Sequence, residues 1–313
     1  MPEWLFEAGI GEARAALVDD GTIVEAAIER PGRLRCGTVA AARLVDLIPG
    51  GMGLVTLADG DALLIRIPSG VTKGATLVVE IVREAIPEEG RPKLARARAT
   101  DAAPTAAPPL EARLAASGQR VRHCLAHEAD ALEAAGWSEL LEEAMTGEIA
   151  LPCGALRMTP TPAMTLFDVD GPAPLAPLAV AAAGAVARAI RRHGIGGSIG
   201  VDFPTLAGKA PRQAVAAAID AALVPPFERT TMNGFGFLQI VRPRPRASLP
   251  ELLRADPVGA AARAALRRLE REPAGMPTTH RLPAAVVAWI DARPALRAEL
   301  ARRTGVVHRL ESD

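Results

Sequence analysis

Residues 164–171 read MTLFDVDG and residues 195–203 read IGGSIGVDF. Each is a short apolar run that ends in acidic residues, and each is followed by a helical stretch. Around them the order is strand (148–151), strand (155–159), strand (164–170), helix (177–193), strand (197–203), helix (211–223) and strand (236–242). Strands and helices alternating at these lengths predict a layered α/β domain over 146–246. The class expected for the whole chain is α/β in the mixed, multidomain sense.

Upstream, Ala13–Val18 and Thr22–Ala27 flank the turn residues Asp19, Asp20 and Gly21, which predicts a hairpin. The segments GTVAAARLVDLI (37–48), MGLVTLA (52–58), ALLIRIP (62–68) and ATLVVEIVREAI (75–86) are short, partly β-branched and punctuated by Gly, Pro and Asp. Such a run of strands over 33–98 predicts a small barrel or sandwich. Residues 99–109 contain the Pro/Ala tract TDAAPTAAPP and read as a linker. Residues 110–145 have helical character, and 247–313 read as a small ending with two helical stretches.

With 313 residues and 49% hydrophobic composition, the chain can bury a sizeable core and form two or three domains. Cys36, Cys124 and Cys153 are scattered, without the C-x-x-C spacing of a zinc ribbon or redox pair, so a reducing cytoplasm and no zinc are expected. The first residues lack a basic start with an unbroken apolar run, and no stretch reaches membrane-spanning length without charges. Net charge is zero, but residues 1–171 carry 16 basic and 25 acidic side chains against 20 and 11 in 172–313. The basic second half can meet phosphates. All but three of the cations are arginines, suited to bidentate phosphate contacts, although genomic composition bias explains the same preference.

Strand alternation puts Asp168 and Asp170 on one side of their strand, a candidate hard-cation site, since Mg²⁺ takes carboxylate and water oxygens. The same DVDG also reads as a strand-ending turn. Asp202 is a lone carboxylate near the end of an apolar strand, where ligands gather in open α/β sheets. An EF-hand fails for want of the third ligand position and the closing glutamate. The Gly194–Gly197 run precedes a strand and lacks the GK[ST] of a phosphate loop, so it reads as a helix-terminating turn. His123 and His127, at i and i+4, could chelate zinc on a helix; with no third ligand in view they read as a solvated helix face.

The order of segments resembles the catalytic region of the ribonuclease E/G family. GEIALPCGALRMTPTPAMTLFDVDG (147–171) is similar to that family's hairpin and first catalytic-aspartate strand, and IGGSIGVDFPTL (195–206) to the second. PRQAVAAAIDAAL (211–223) and NGFGFLQIVRPR (233–244) resemble the helix and strand that follow. Toward the ends, EARAALVDDGTIVEAAIER (12–30) resembles the first hairpin, and 36–98, including KGATLVVEIVREAI and GRPKLARAR, an inserted OB-type RNA-binding barrel. HRLPAAVVAWI (280–290) through GVVHRL (305–310) resembles the small C-terminal domain.

The resemblance implies an RNase H-like remnant (1–32 with 110–145), an OB-type barrel (33–98), a DNase I-like catalytic domain (146–246) and a small C-terminal domain (247–313). It assigns Mg²⁺, with Mn²⁺ as the other candidate, to Asp168 and Asp202, with Asp170 in support. The metal would activate water for attack on single-stranded RNA in RNA processing or decay, leaving 5′-phosphate and 3′-hydroxyl ends. Lys93, Arg96, Arg212, Arg242 and Arg244 are the expected RNA-binding cations.

Departures from the pattern carry their own implications. Residues 100–145 are too short for the domain that senses a 5′-monophosphate. No cysteine follows Cys153, so the CPxCxG zinc link and the dimer it makes are not expected. Val55 stands at the barrel's aromatic stacking position, and residues 7–136 contain no Phe, Trp or Tyr. Thr205, Gly234 and Gln239 replace an aspartate, an arginine and a glutamate, which favours the alternative of an RNA-binding homologue with impaired cleavage. A structural protein without RNA function is the third reading, and predicts no salt-dependent RNA affinity.

Overall fold

The computed structural model describes residues 1–88, 92–273 and 275–313. Gly90 and Arg91 of the GRPKLARAR segment lie outside the described residues. In chain order the elements begin with β1 (Glu3–Ala8), β2 (Ala13–Asp19) and β3 (Thr22–Glu29), then β4 (Val39–Ile48), β5 (Met52–Leu57), β6 (Gly60–Leu64), β7 (Thr76–Arg83) and β8 (Ala95–Ala99). Next come α1 (Leu110–Ala115), β9 (Arg120–His123), α2 (Ala131–Ala134) and α3 (Trp137–Thr146). Then follow β10 (Glu148–Leu151), β11 (Gly154–Pro160), β12 (Thr165–Asp170), α4 (Leu175–Arg192), β13 (Gly197–Asp202), α5 (Lys209–Ala222), β14 (Glu228–Arg229) and β15 (Phe237–Arg242). The chain closes with α6 (Leu249–Arg254), α7 (Pro257–Glu270), β16 (Thr279–Leu282), α8 (Ala284–Asp291), α9 (Pro294–Thr304) and β17 (Arg309–Ser312).

These elements form a mixed α/β protein that divides into two compact units. The first takes in residues 1–31, 109–138 and 253–313. Its sheet has the order β3-β2-β1-β9, antiparallel except for the parallel β1–β9 pair. Strand β1 is apolar at its centre, and Trp4 and Phe6 pack with Ala15, Leu17, Leu110 and Leu114. A second core gathers Ile10 with α7–α9 residues such as Ala262, Leu266, Ile290 and Leu300. Of residues 247–313, expected from the sequence as a separate ending, 253–313 therefore share a core with the first residues of the chain.

Arg14, only 1% exposed, is held there by Glu7 and Asp130, at 3.0 and 2.6 Å. Its guanidinium also lies 5.3 Å from the Trp137 ring centroid, and Arg271 pairs with Glu7 from the end of α7. A charge that costs several kcal/mol to bury is tolerated only with such partners.

The second unit takes in residues 32–108 and 139–252. Its first part is a closed five-stranded barrel of order β4-β5-β6-β8-β7, in which β6–β8 is the one parallel pair. Alternating side chains (Leu44, Val55, Leu64, Val79, Ile81) fill the interior, so period-2 patterning closes the barrel on its own core. Val55 is fully buried there, and the side chains that β5 offers to a ligand are its neighbours Leu54 and Thr56. The Pro/Ala tract is extended and tied to the barrel, with Thr105 bridging to Val39 and Ala107 buried.

The second part is a six-stranded sheet of order β10-β11-β12-β13-β15-β14. Only β12–β13 is parallel, because α4 carries the chain back across the sheet between them. Alternate residues Phe167, Val169, Ile199, Val201, Leu238 and Ile240 pack against the small-residue face of α4 (Ala179, Ala182, Ala183, Val186, Ile190) and against Val215 and Ile219 of α5. Helix α4 ends at Arg192, and Gly194 follows with φ 64°, the left-handed conformation that stops a helix cheaply only at glycine. Among the described residues, no helix is long and apolar enough to cross a membrane.

Candidate active site

In the parallel register of β12 and β13, Asp168 is the partner of Asp202. Neighbouring strands lie about 4.8 Å apart and register partners project to the same face, so the two carboxylates stand side by side. Burial along β12 alternates, with Thr165, Phe167 and Val169 buried and Asp168 and Asp170 exposed. The buried set meets the helices, which leaves the aspartates on the opposite, uncovered face.

That face continues across the sheet. Arg157 of β11 is the register partner of Asp168, and Glu148 of β10 is the partner of Arg157, whose Nε donates to Glu148 Oε1 at 2.9 Å. On the other side, Phe237 of β15 is the partner of Asp202, with Gln239 two residues further on the same face. Gly200 of β13 is the register partner of Gln239, two residues before Asp202. A Cβ there would lie 2.7 Å from Phe237 Cζ, 2.8 Å from Leu166 Cδ2 and 3.0 Å from Met164 Sδ, so glycine is what lets these side chains close over the strand beside the aspartates.

The electrostatics follow from that crowding. Partial burial pushes the Asp168 carboxyl above its ordinary value, the like charges of Asp170 and Asp202 push it further, and Arg157 opposes them. Adjacent carboxylates that repel one another bind a cation in place of a proton. An exposed, all-oxygen pair fits a hard divalent ion that keeps most of its waters.

The loop between β14 and β15 adds a feature absent from the sequence reading. Phe235 is 85% exposed, yet its backbone is fixed. The N–H groups of Phe235 and Phe237 donate to Asn233 Oδ1 at 2.9 and 3.0 Å, and Phe203 N–H donates to the Gly236 carbonyl at 3.1 Å. Thr205 Oγ1 donates to the Phe235 carbonyl at 3.3 Å. Gly236 has φ 102°, and a Cβ there would strike the Phe203 carbonyl, so only glycine fits. Exposed Phe235 is thus held two residues before Phe237, the register partner of Asp202. Arg157, Phe235 and Phe237 are the site neighbours that sequence reasoning missed: cross-strand partners have no signature along the chain.

The five cations expected to bind RNA do not gather around the aspartates. Lys93 donates to the Pro162 carbonyl at 2.8 Å and pairs with Glu88, and Arg244 pairs with Glu251. Arg242 alternates onto the helix-covered side of β15 and reaches the Val224 carbonyl, and Arg212 lies in the first turn of α5, 3.4 Å from the Leu206 carbonyl. Arg96 is exposed on β8 of the barrel. The His123–His127 spacing is not helical. His123 ends strand β9, edge-on to Phe6, and His127 lies in the following turn. Polar RVRH is recruited into a sheet by pairing with β1, which overrides its local preference. No protein-family model and no curated protein matches this chain, so the site stands on its own geometry.

Proposed function

We propose that this chain is a divalent-metal-dependent endoribonuclease of the ribonuclease E/G type, acting on single-stranded RNA in processing or decay. The observation that carries the reading is the Asp168–Asp202 register pairing on an uncovered sheet face. Asp168 and Asp202 would hold Mg²⁺ or Mn²⁺, and Asp170 would raise the local negative charge. Bound there, the metal supplies a polarised phosphoryl oxygen and an activated water. Arg157 stands where it can meet a phosphate, and Phe235 offers a base a stacking surface worth about 1–3 kcal/mol. The missing barrel aromatics are thereby offset at the catalytic face.

The finer architecture belongs to the same proposal. A closed five-stranded barrel fits an OB-type module, whose second and third strands, here β5 and β6, track oligonucleotides. The order β3-β2-β1-β9 supports an RNase H-like remnant, and the helix-backed six-stranded sheet supports a DNase I-like domain.

One observation favours an RNA-binding homologue with impaired cleavage. Thr205 spends its hydroxyl on the Phe235 carbonyl and Gln239 is uncharged, so the face holds fewer acids than the family pattern. Incubating a 5′-labelled AU-rich single-stranded RNA with Mg²⁺ or chelator, alongside Asp168→Asn and Asp202→Asn, separates the two. Cleavage that needs metal and is lost in both variants supports the nuclease; intact RNA with salt-sensitive binding supports the homologue. Intact RNA without such binding removes both.

A further inference from the structure

Away from the aspartates, three side chains from three elements of the first unit converge: Glu272 beyond the end of α7, His280 of β16 and His308 just before β17. One ligand atom from each lies within 4.8 Å of the other two. Strands β16 and β17 run parallel, with His280 the register partner of Leu310, and this brings a histidine 28 residues downstream into contact. His280 Nε2 and His308 Nδ1 are 3.0 Å apart, and His280 Nδ1 is 3.6 Å from Glu272 Oε1.

The protonation pattern is set by Thr304. Its hydroxyl donates to the Leu300 carbonyl at 2.9 Å, or to that of Val306 at 3.2 Å, so its oxygen accepts from His308 Nε2, 3.2 Å away. With the N–H placed on Nε2, neutral His308 turns its Nδ1 lone pair toward His280. A metal-binding histidine is commonly fixed in this way, its second nitrogen donating to an oriented acceptor. His308 is 7% exposed and the side chain of His280 13%, while Glu272 retains 27%. Glu272 and His308 also line a cleft of about 610 Å³, with His127 on its wall.

The geometry points to a transition-metal site, best suited to Zn²⁺, formed by Glu272, His280 and His308, with a fourth position opening into that cleft. Zinc bonds of 2.0–2.1 Å at tetrahedral angles place ligand atoms roughly 3.3 Å apart, and the N···N separation is already close to this. Two imidazole nitrogens select zinc over Mg²⁺, which prefers oxygen. Binding replaces the proton that His280 and His308 share, and fastens the end of α7 to the β16–β17 pair. The C-x-x-C and helical i, i+4 patterns do not cover such a site, because its ligands come from separate elements.

The test uses the full chain stripped of metal and titrated with Zn²⁺, with Co²⁺ as a spectroscopic substitute. Expected are one equivalent of Zn²⁺ that a large excess of Mg²⁺ does not displace, the visible absorption of tetrahedral Co²⁺, and a melting temperature that rises with free zinc. His280→Gln and Glu272→Gln should each weaken binding by about tenfold or more, while Asp168→Asn leaves it unchanged. Glu272→Gln, at a partly exposed position, decides the matter if His280→Gln melts anomalously without metal. Failure to bind zinc, or binding that neither variant weakens, overturns the assignment.

Discussion

Asp168 faces Asp202 across the parallel β12–β13 pair and Arg157 across the antiparallel β11–β12 pair. One carboxylate thus stands between a like charge and an opposite one. Removing the like-charge repulsion should stabilise the metal-free protein: Asp168→Asn is expected to gain about 0.2–0.5 kcal/mol, small because the group is largely exposed. If the pair holds Mg²⁺, the wild type should melt higher with Mg²⁺ and the variant should not. Paired thermal melts in chelator and in Mg²⁺ check both, and a variant still stabilised by Mg²⁺ would remove Asp168 from the metal site.

The pH dependence has a definite sign. The carboxyl of Asp168 is raised by partial burial, then by Asp170 and Asp202, so the folded protein holds that proton where the unfolded chain has released it. Its contribution to stability is present at low pH and is lost as pH rises through the folded value. Metal competes with the proton, so Mg²⁺ affinity should climb over this interval and then level off. Asp170→Asn should move the climb to lower pH and Arg157→Met to higher pH; Mg²⁺ titrations across the acid range measure both displacements.

Phe235 is exposed on a backbone fixed by Asn233 and Gly236. Phe235→Ala should weaken single-stranded RNA binding by about 1–3 kcal/mol and leave the melting temperature unchanged. Fluorescence anisotropy with a labelled oligonucleotide reads the first, and a thermal melt the second. Equal affinity in the two proteins would take this loop out of the RNA path.

Glu143 of α3 accepts from buried His193 Nε2 at 2.8 Å and pairs with Arg192. Burial pushes its carboxyl up, but the His193 hydrogen bond and the Arg192 charge outweigh burial and hold it below the ordinary value. The stability it contributes is present above the unfolded carboxylate range and is lost as pH falls through the folded value. Glu143→Gln should cost about 2 kcal/mol at neutral pH, less than a fully buried pair because Glu143 is partly exposed. Urea unfolding at neutral and acid pH should show the deficit shrink on acidification.

Much of the second unit was legible from residues 146–246. The aspartate strands, α4 and α5 announce themselves by period 2, by period 3.6 and by the glycine that ends α4. The side on which Asp168 and Asp170 project also followed from alternation. Which strand lies beside which did not, and register is what turns Asp202 from a lone carboxylate into a neighbour of Asp168 and brings Arg157 and Phe237 to them. Strands β9, β16 and β17 are four residues long and polar in part, too short for a periodicity to emerge. Val55 shows the converse limit: alternation marks two faces of β5, and only closure of the barrel decides which one is inside.

The buried arrangement around Arg14 has a consequence for how the chain is made. Glu7 meets Arg271 264 residues later, and Ile10 joins a core that includes Leu300. At about 5–20 residues per second, synthesis leaves roughly 13–50 s between the emergence of Glu7 and that of Arg271. The barrel, by contrast, closes from contacts within residues 39–99 and can fold while the rest is still being translated. Strand β1 can pair with β2 at once, whereas Glu7 and Ile10 wait for partners made much later, in α7–α9 and at the end of α7. In the interval Glu7 lacks Arg271 and Ile10 lacks the α7–α9 side chains that bury it, so the ion-pair arrangement around Arg14 is completed only after most of the first unit's other contacts can form.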